Sequence, residues 1–183
     1  TTLWARVYGG VSSDRIEEVA VDSAGASLVT GYIGGSVDFG GGGIPFGGGS
    51  LDAFVAKIDT SGTHVWSKDV GGPGGETGVD VDVDANDNIV LSGMFGTSLT
   101  VSGHAVSGAD GSSVYFIKLD PAGNYLWSRA PGDTFQQYYP YIAAGPMNRV
   151  AITFLNQGTV NLGTGALTSL SNQDALVIGV LYP

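Results

Sequence analysis

The feature that most limits what this chain can fold into is a repeat. The stretch Asp52 to Lys68, DAFVAKIDTSGTHVWSK, returns as Ser113 to Arg129, SVYFIKLDPAGNYLWSR. A further copy is divided between the ends, with TLWAR at Thr2 to Arg6 and DALVIGVLY at Asp174 to Tyr182. Tryptophans stand at 4, 66 and 127, in steps of 62 and 61. The apolar islands beginning at Val37, Leu99 and Val160 take the same steps, and the turn residues Asn88 and Asn148 lie 60 apart. Self-similarity at this scale means one supersecondary unit per repeat, each unable to bury its apolar face without a neighbour.

Within each period the apolar runs are short, β-branched or aromatic, and bounded by turn residues, the mark of strands. The first copy gives strands over 16–22, 27–33, 52–59 and 64–70, and the second over 79–84, 88–95, 114–120 and 125–129. The third gives 141–144, 149–154 and 174–181, and residues 1–10 read as a strand by themselves. The 31 glycines fall between these runs, which suits turn-dense β structure, and 43% hydrophobic residues are ample for a shared core. Four short strands per period with no helical segment predict an all-β chain, a β-propeller of four-stranded antiparallel blades. Blade 1 spans 11–72, blade 2 spans 73–132, and blade 3 spans 133–183 without its last strand. The strand in 1–10 would complete a third blade, of its own chain or of a partner.

Several of these residues resemble a known family, the bacterial beta-propeller repeat often called SBBP. The likeness runs through VAVDSAGASLVTGYIGGSVDFGGG (19–42), DAFVAKIDTSGTHVWSKDVGG (52–72), VDVDANDNIVLSG (81–93) and FIKLDPAGNYLWSR (116–129). It weakens in copy three, where AAGPMNRVAITF (143–154) keeps the pattern but Gly179 and Leu181 take the places of the earlier Lys and Asp. The resemblance implies a propeller fold and an extracellular or cell-surface bacterial setting, and no single activity.

Propellers commonly close when one terminus completes the blade begun by the other, which removes an unpaired edge. Three blades fall short of the usual 4–8 or so. Three arrangements resolve this: a six-bladed homodimer closed head to tail, an open filament, or a piece of a longer propeller. The closed dimer is the favoured expectation, with Leu3, Trp4, Arg6 and Tyr8 meeting Ala175, Val177 and Val180 at the split blade.

Charge and chemistry narrow the function. A formal net charge of -10 repels phosphate backbones and anionic headgroups, so nucleic-acid binding is not expected. No apolar run approaches the ~20 residues of a membrane helix, so membrane insertion is not expected either. No signal-peptide pattern is present, so an exported chain reads as a mature form or fragment. The chain has no cysteine, hence no thiol chemistry or disulfides. The Lys57/Asp59 and Lys118/Asp120 pairs recur once per copy and read as ion pairs, with Arg6, Lys68 and Arg129 as further partners. His64 and His104 stand alone, without a serine–aspartate or cysteine setting, and read as exposed turn residues. No cofactor and no enzymatic activity are expected.

Two features stand out as candidate sites. Asp80, Asp82 and Asp84 alternate along one strand, which puts three carboxylates on one face and suits calcium. Copy one has Glu18, Ala20 and Asp22 there, and copy three Pro140, Ile142 and Ala144. Copy three carries Phe135 to Tyr141, FQQYYPY, whose Gln137, Tyr138, Tyr139 and Tyr141 suit a stacking platform for a glycan or peptide. The leading expectation is a non-catalytic structural or interaction module that self-assembles. The alternative is an extracellular carbohydrate-binding or calcium-dependent adhesin.

Overall fold

The computed structural model describes residues 2–108, 113–132, 136–169 and 175–181, without the side chains of Ala175 and Leu176. These residues form an all-β structure of several antiparallel sheets with no helix among them. Strands β1 (Arg15–Val21), β2 (Ser27–Ile33), β3 (Asp52–Ile58) and β4 (His64–Gly71) make a meander, sheet 1. The second repeat begins with β5 (Thr77–Val83) and β6 (Ile89–Phe95), then a hairpin of β7 (Ser98–Val101) and β8 (His104–Ser107). It continues with β9 (Ser113–Leu119) and β10 (Tyr125–Arg129), and sheet 2 has the order β10-β9-β6-β5. The hairpin crosses back and pairs with β4 through Val70↔Val101 and Gly71↔Thr100, so this excursion staples the second repeat to the first.

The third repeat has β11 (Gln137–Ala144), β12 (Val150–Asn156), a small hairpin of β13 (Thr159–Asn161) and β14 (Ala166–Thr168), and β15 (Ala175–Leu181). Sheet 3 has the order β11-β12-β15, three strands where sheet 2 and the meander of sheet 1 have four, the β7–β8 hairpin extending sheet 1 to six. The strand pairing among the described residues closes neither a barrel nor a ring.

Residues 2–10 form no strand, contrary to the sequence expectation. A strand is defined by ladder hydrogen bonds to a neighbour, and this segment has no neighbouring strand among the described residues.

Strand register also corrects the alignment of copy three. Val90 pairs with Lys118 and Ala151 with Val180, so Val180, not Gly179, stands in the lysine's place. Asp80 faces Ser92 and Tyr141 faces Thr153. The aspartate ladder therefore corresponds to Tyr141, Ala143 and Gly145 rather than to Pro140, Ile142 and Ala144. The cause lies in the turn. Gly25 (φ 83°), Asp87 (φ 60°) and Asn148 (φ 60°) share the left-handed position, a conformation favoured by Gly, Asn and Asp. Matching Asn148 to Asn88 followed residue identity instead of backbone conformation, and one residue of slip moves every side chain to the opposite face.

Candidate functional site

Two joints hold the three sheets together, built from equivalent positions. Leu28, Val55 and Val70 of sheet 1 meet Val81, Leu91 and Tyr115 of sheet 2 in one apolar cluster. Val90, Val114 and Phe116 of sheet 2 meet Ile152, Phe154 and Val177 of sheet 3 in a second. An indole clamps the first joint at the rim: Trp66 Nε1 donates to the carbonyl of Pro121 at 3.1 Å. The indole ring lies against Gly123, where an added Cβ would stand 3.1 Å from it.

Trp4 repeats this clamp one unit earlier. Its Nε1 donates to the carbonyl of Thr60 at 3.0 Å, and its ring covers Gly62. The Tyr8 ring stands 5.1 Å from that of Phe39, and both tryptophan and tyrosine pack on a third apolar cluster built from Ile33, Phe54 and Ile58. The terminal segment thus occupies on sheet 1 the place that β4 occupies on sheet 2. Leu3 and Val7 point away, 89% and 99% exposed, and Arg6 is exposed as well. Trp127 is the next in the series, and its Nε1 is buried without a hydrogen-bond partner among the described residues. The repeat would set its acceptor at residue 183, outside the described residues.

The two ends of the stack of sheets are open. On the far face of sheet 3, Ile178 is 80% and Val180 62% exposed, whereas their sheet 2 counterparts Phe116 and Lys118 are 0% and 2% exposed. Tyr141, Ala151, Thr153 and Ile178 line a groove of about 330 Å³ on that face. At the other end Val19 of β1 is 54% exposed, while its counterpart Val81 is 3% exposed beneath sheet 1. Of the residues expected at a split blade, Trp4, Tyr8 and Val180 lie at these open ends. Val177 does not: it is buried in the joint with sheet 2. The side chain of Ala175 lies outside the described residues. Ile178 was missed, although the strand's period of two sets it on the same face as Val180.

The aspartate ladder serves the second joint. Asp80 accepts the N–H of Ile142 at 2.8 Å and Asp82 that of Ala144 at 2.7 Å, tying β5 to β11. Burial raises the Asp80 carboxyl above the usual range, the Ile142 amide opposes this, and Glu18 adds to the rise. Asp84 turns instead into sheet 2, where it meets Lys118 Nζ at 2.7 Å. Its remaining lone pairs take the N–H groups of Asn86 and Asn88 and the Asn88 amide. The ladder therefore does not present three carboxylates to one point. No three His, Cys, Asp or Glu side chains gather as a metal site among the described residues.

The recurring ion pairs differ from expectation in their partners. Lys57 pairs with Asp22 at 2.8 Å as Lys118 pairs with Asp84. Asp59 and Asp120 instead cap their own turns, accepting the N–H groups of Ser61 and Thr63 and of Ala122 and Asn124. The legible signal was the spacing D-x-x-G at Asp22, Asp59 and Asp120, an aspartate two residues before amides that a turn leaves free.

The tyrosine platform divides. Tyr139 and Tyr141 are exposed, and the Tyr138 and Tyr139 rings stand 6.1 Å apart. Gln137, expected beside them, is buried, donating to Asn156 Oδ1 at 3.3 Å. Phe135 lies outside the described residues. The histidines are less bare than expected: His64 is half-buried and bonded to Ser67 Oγ at 3.1 Å, and His104 stacks on Tyr125 at 4.0 Å. Compared with known proteins, the chain matches no family model and no curated sequence.

Proposed function

We propose that the chain is a self-assembling, non-catalytic β-propeller module of the SBBP type, working outside the bacterial cell or at its surface. Copies join head to tail: the sheet 1 face of one copy covers the sheet 3 face of the next, and residues 2–10 travel with it. In that position the terminal segment lies beside β15 and becomes the fourth strand of the neighbour's third sheet.

The observation that carries this reading is Trp4. Its bond to Thr60 copies that of Trp66 to Pro121, so the segment is held on its own sheet 1 in the pose of an outer strand belonging to a preceding sheet. Sheet 3 lacks that strand among the described residues and leaves the outer edge of β15 unpaired. The faces match in kind. Ile178 and Val180 at one end meet Val19 and Val21 at the other, all apolar and all more than half exposed. A heterologous contact of this type closes into a ring or extends as a filament according to its rotation, and two copies with six sheets give the favoured closed ring.

Deleting residues 1–8 tests the reading. The account expects the native mass to fall to that of a single chain, with the β-sheet circular dichroism kept. A truncated chain that keeps the mass of the intact protein refutes strand exchange.

A further inference from the structure

The two joints inside the chain show what a joint between copies must reproduce, because the repeat supplies the same positions three times. Each internal joint carries a polar tie between neighbouring turns. Ser23 donates its N–H and its hydroxyl to the Asp87 carboxylate at 2.9 and 2.6 Å. One joint further on, the Asn86 amide donates to Asn148 Oδ1 at 3.2 Å. On the inner strands, Asp80 accepts the Ile142 N–H of the next sheet at 2.8 Å.

The open ends lack these groups in matched pairs. The three turns close with equivalent bonds, Asp22 to Ala26, Asp84 to Asn88 and Gly145 to Arg149. Gly25 therefore stands where Asp87 and Asn148 stand, and sheet 1 offers no side-chain acceptor there. Pro146 takes the place of Ser23 and Met147 that of Asn86, the first without an N–H and the second without a side-chain donor. Tyr141 takes the place of Asp80 and has no carboxylate. The amide that such a carboxylate would reach, that of Val19, is already taken by Glu18 Oε1 at 2.9 Å. A polar group buried without its partner is costly, so ends that are to meet must lose both members of a tie together.

Size is matched as well. Val81 packs with Leu28 and Val55 in the first joint, and Ile142 with Val90 and Phe116 in the second. By strand register the third set is Val19 with Ala151 and Ile178. Alanine in place of leucine or valine accompanies the groove of about 330 Å³ at that spot. One position is larger instead. Ile16 replaces Gly78, which lies so near Thr30 that an added Cβ would stand 2.2 Å from its hydroxyl. Ile16 is half-exposed, and the residue equivalent to Thr30 on sheet 3 is Thr153. Beside Thr153 a second groove, of about 300 Å³, runs between Tyr139, Tyr141 and Leu155.

We infer that the joint between copies, which rests on the head-to-tail reading above, is an apolar seat in one register, without the polar ties of the internal joints. Val19 seats on Ala151 and Ile178, Ile16 enters the groove beside Thr153, and Met147 covers Gly25. The matched losses set the specificity. A sheet like sheet 2 in the place of sheet 1 would press the Asp87 carboxylate on Pro146, which has no N–H to give it.

The chain has no cysteine, so a disulfide between copies reports the register. A Cβ as close to the threonine oxygen as at Gly78 lies within the ~3.5–4.5 Å that the Cβ atoms of a disulfide span. Ile16→Cys with Thr153→Cys should, on oxidation, join chains covalently, read as a doubled mass on a non-reducing gel. Glu18→Cys with Thr153→Cys is the control and should stay open, since Glu18 lies on the opposite face of β1. A wild type of doubled mass whose 16–153 pair stays open, or whose control pair closes as readily, overturns the register and leaves head-to-tail assembly standing. A wild type of single-chain mass overturns both. Should the cysteine variants not fold, salt decides on the wild type. None of the three contacts carries a charge and each copy has a net charge of -10, so association should hold or tighten between about 0.05 and 1 M sodium chloride. Association that weakens over that range overturns the apolar seat.

Discussion

Replacing Lys118 by methionine probes the joint chemistry most sharply. The ammonium and the Asp84 carboxylate are 2.7 Å apart, with side chains 2% and 1% exposed. Methionine fills much the same volume, so the packing beside Val90 is kept and the charge alone is lost. Breaking a buried pair by removing one partner costs about 3–5 kcal/mol, since the other charge is stranded out of water. Asp84 keeps the amides of Asn86 and Asn88 and the Asn88 side chain, which places the cost near the lower figure, about 3 kcal/mol. For a chain of this size each kcal/mol moves the melting temperature by about 2–4 °C, so a fall of roughly 6–12 °C is expected. Thermal unfolding followed by circular dichroism at pH of about 6 reads it directly.

The double variant Lys118→Met, Asp84→Asn should recover part of the loss, because no buried charge is left. Sheet 3 already uses that solution, with Val180 and Gly145 at the same two positions. Burial pushes the Asp84 carboxyl up, but Lys118 and Asn88 outweigh it and hold the carboxyl below its ordinary range. A depressed carboxyl stabilises the fold above the unfolded value and ceases to do so as pH falls through the folded one. The single variant should lose that acid limb. A Lys118→Met protein that melts within 1 °C or so of wild type, or a double variant no better than the single one, would refute the argument.

Other perturbations follow from the same geometry. Gly123→Ala places a side chain at φ 81° beneath the Trp66 indole and should cost at least about 1–2 kcal/mol in a urea titration. A variant as stable as wild type would mean that the indole is not clamped there. Ile178→Glu should leave the melting temperature of the single chain nearly unchanged yet block association, read by light scattering; loss of folding instead would place Ile178 in the core. Calcium titrated calorimetrically at fixed ionic strength should give no heat that depends on Asp80 and Asp82, since both carboxylates already accept β11 amides. Heat that disappears in Asp80→Asn with Asp82→Asn would contradict that assignment.

How far the sequence carried depended on whether a signal was periodic or conformational. Strand existence was legible because runs such as DAFVAKI and SVYFIKL have one composition and one spacing. The pairing of Lys57 with Asp22 was not, because its partner comes from two strands away and only the meander brings β1's end beside β3. The slip in copy three had another origin. Asn148 looks like Asn88 in sequence but shares its backbone conformation with Asp87, and a chain letter records chemistry rather than φ.

Native mass, measured by light scattering or sedimentation on the intact chain, tests head-to-tail assembly directly. One chain weighs 18.6 kDa. The account predicts a species of twice that mass, 2 × 18.6 = 37.2 kDa, unchanged by dilution over the working range and lost when Trp4 is replaced by alanine. A single-chain mass for the intact protein would contradict it.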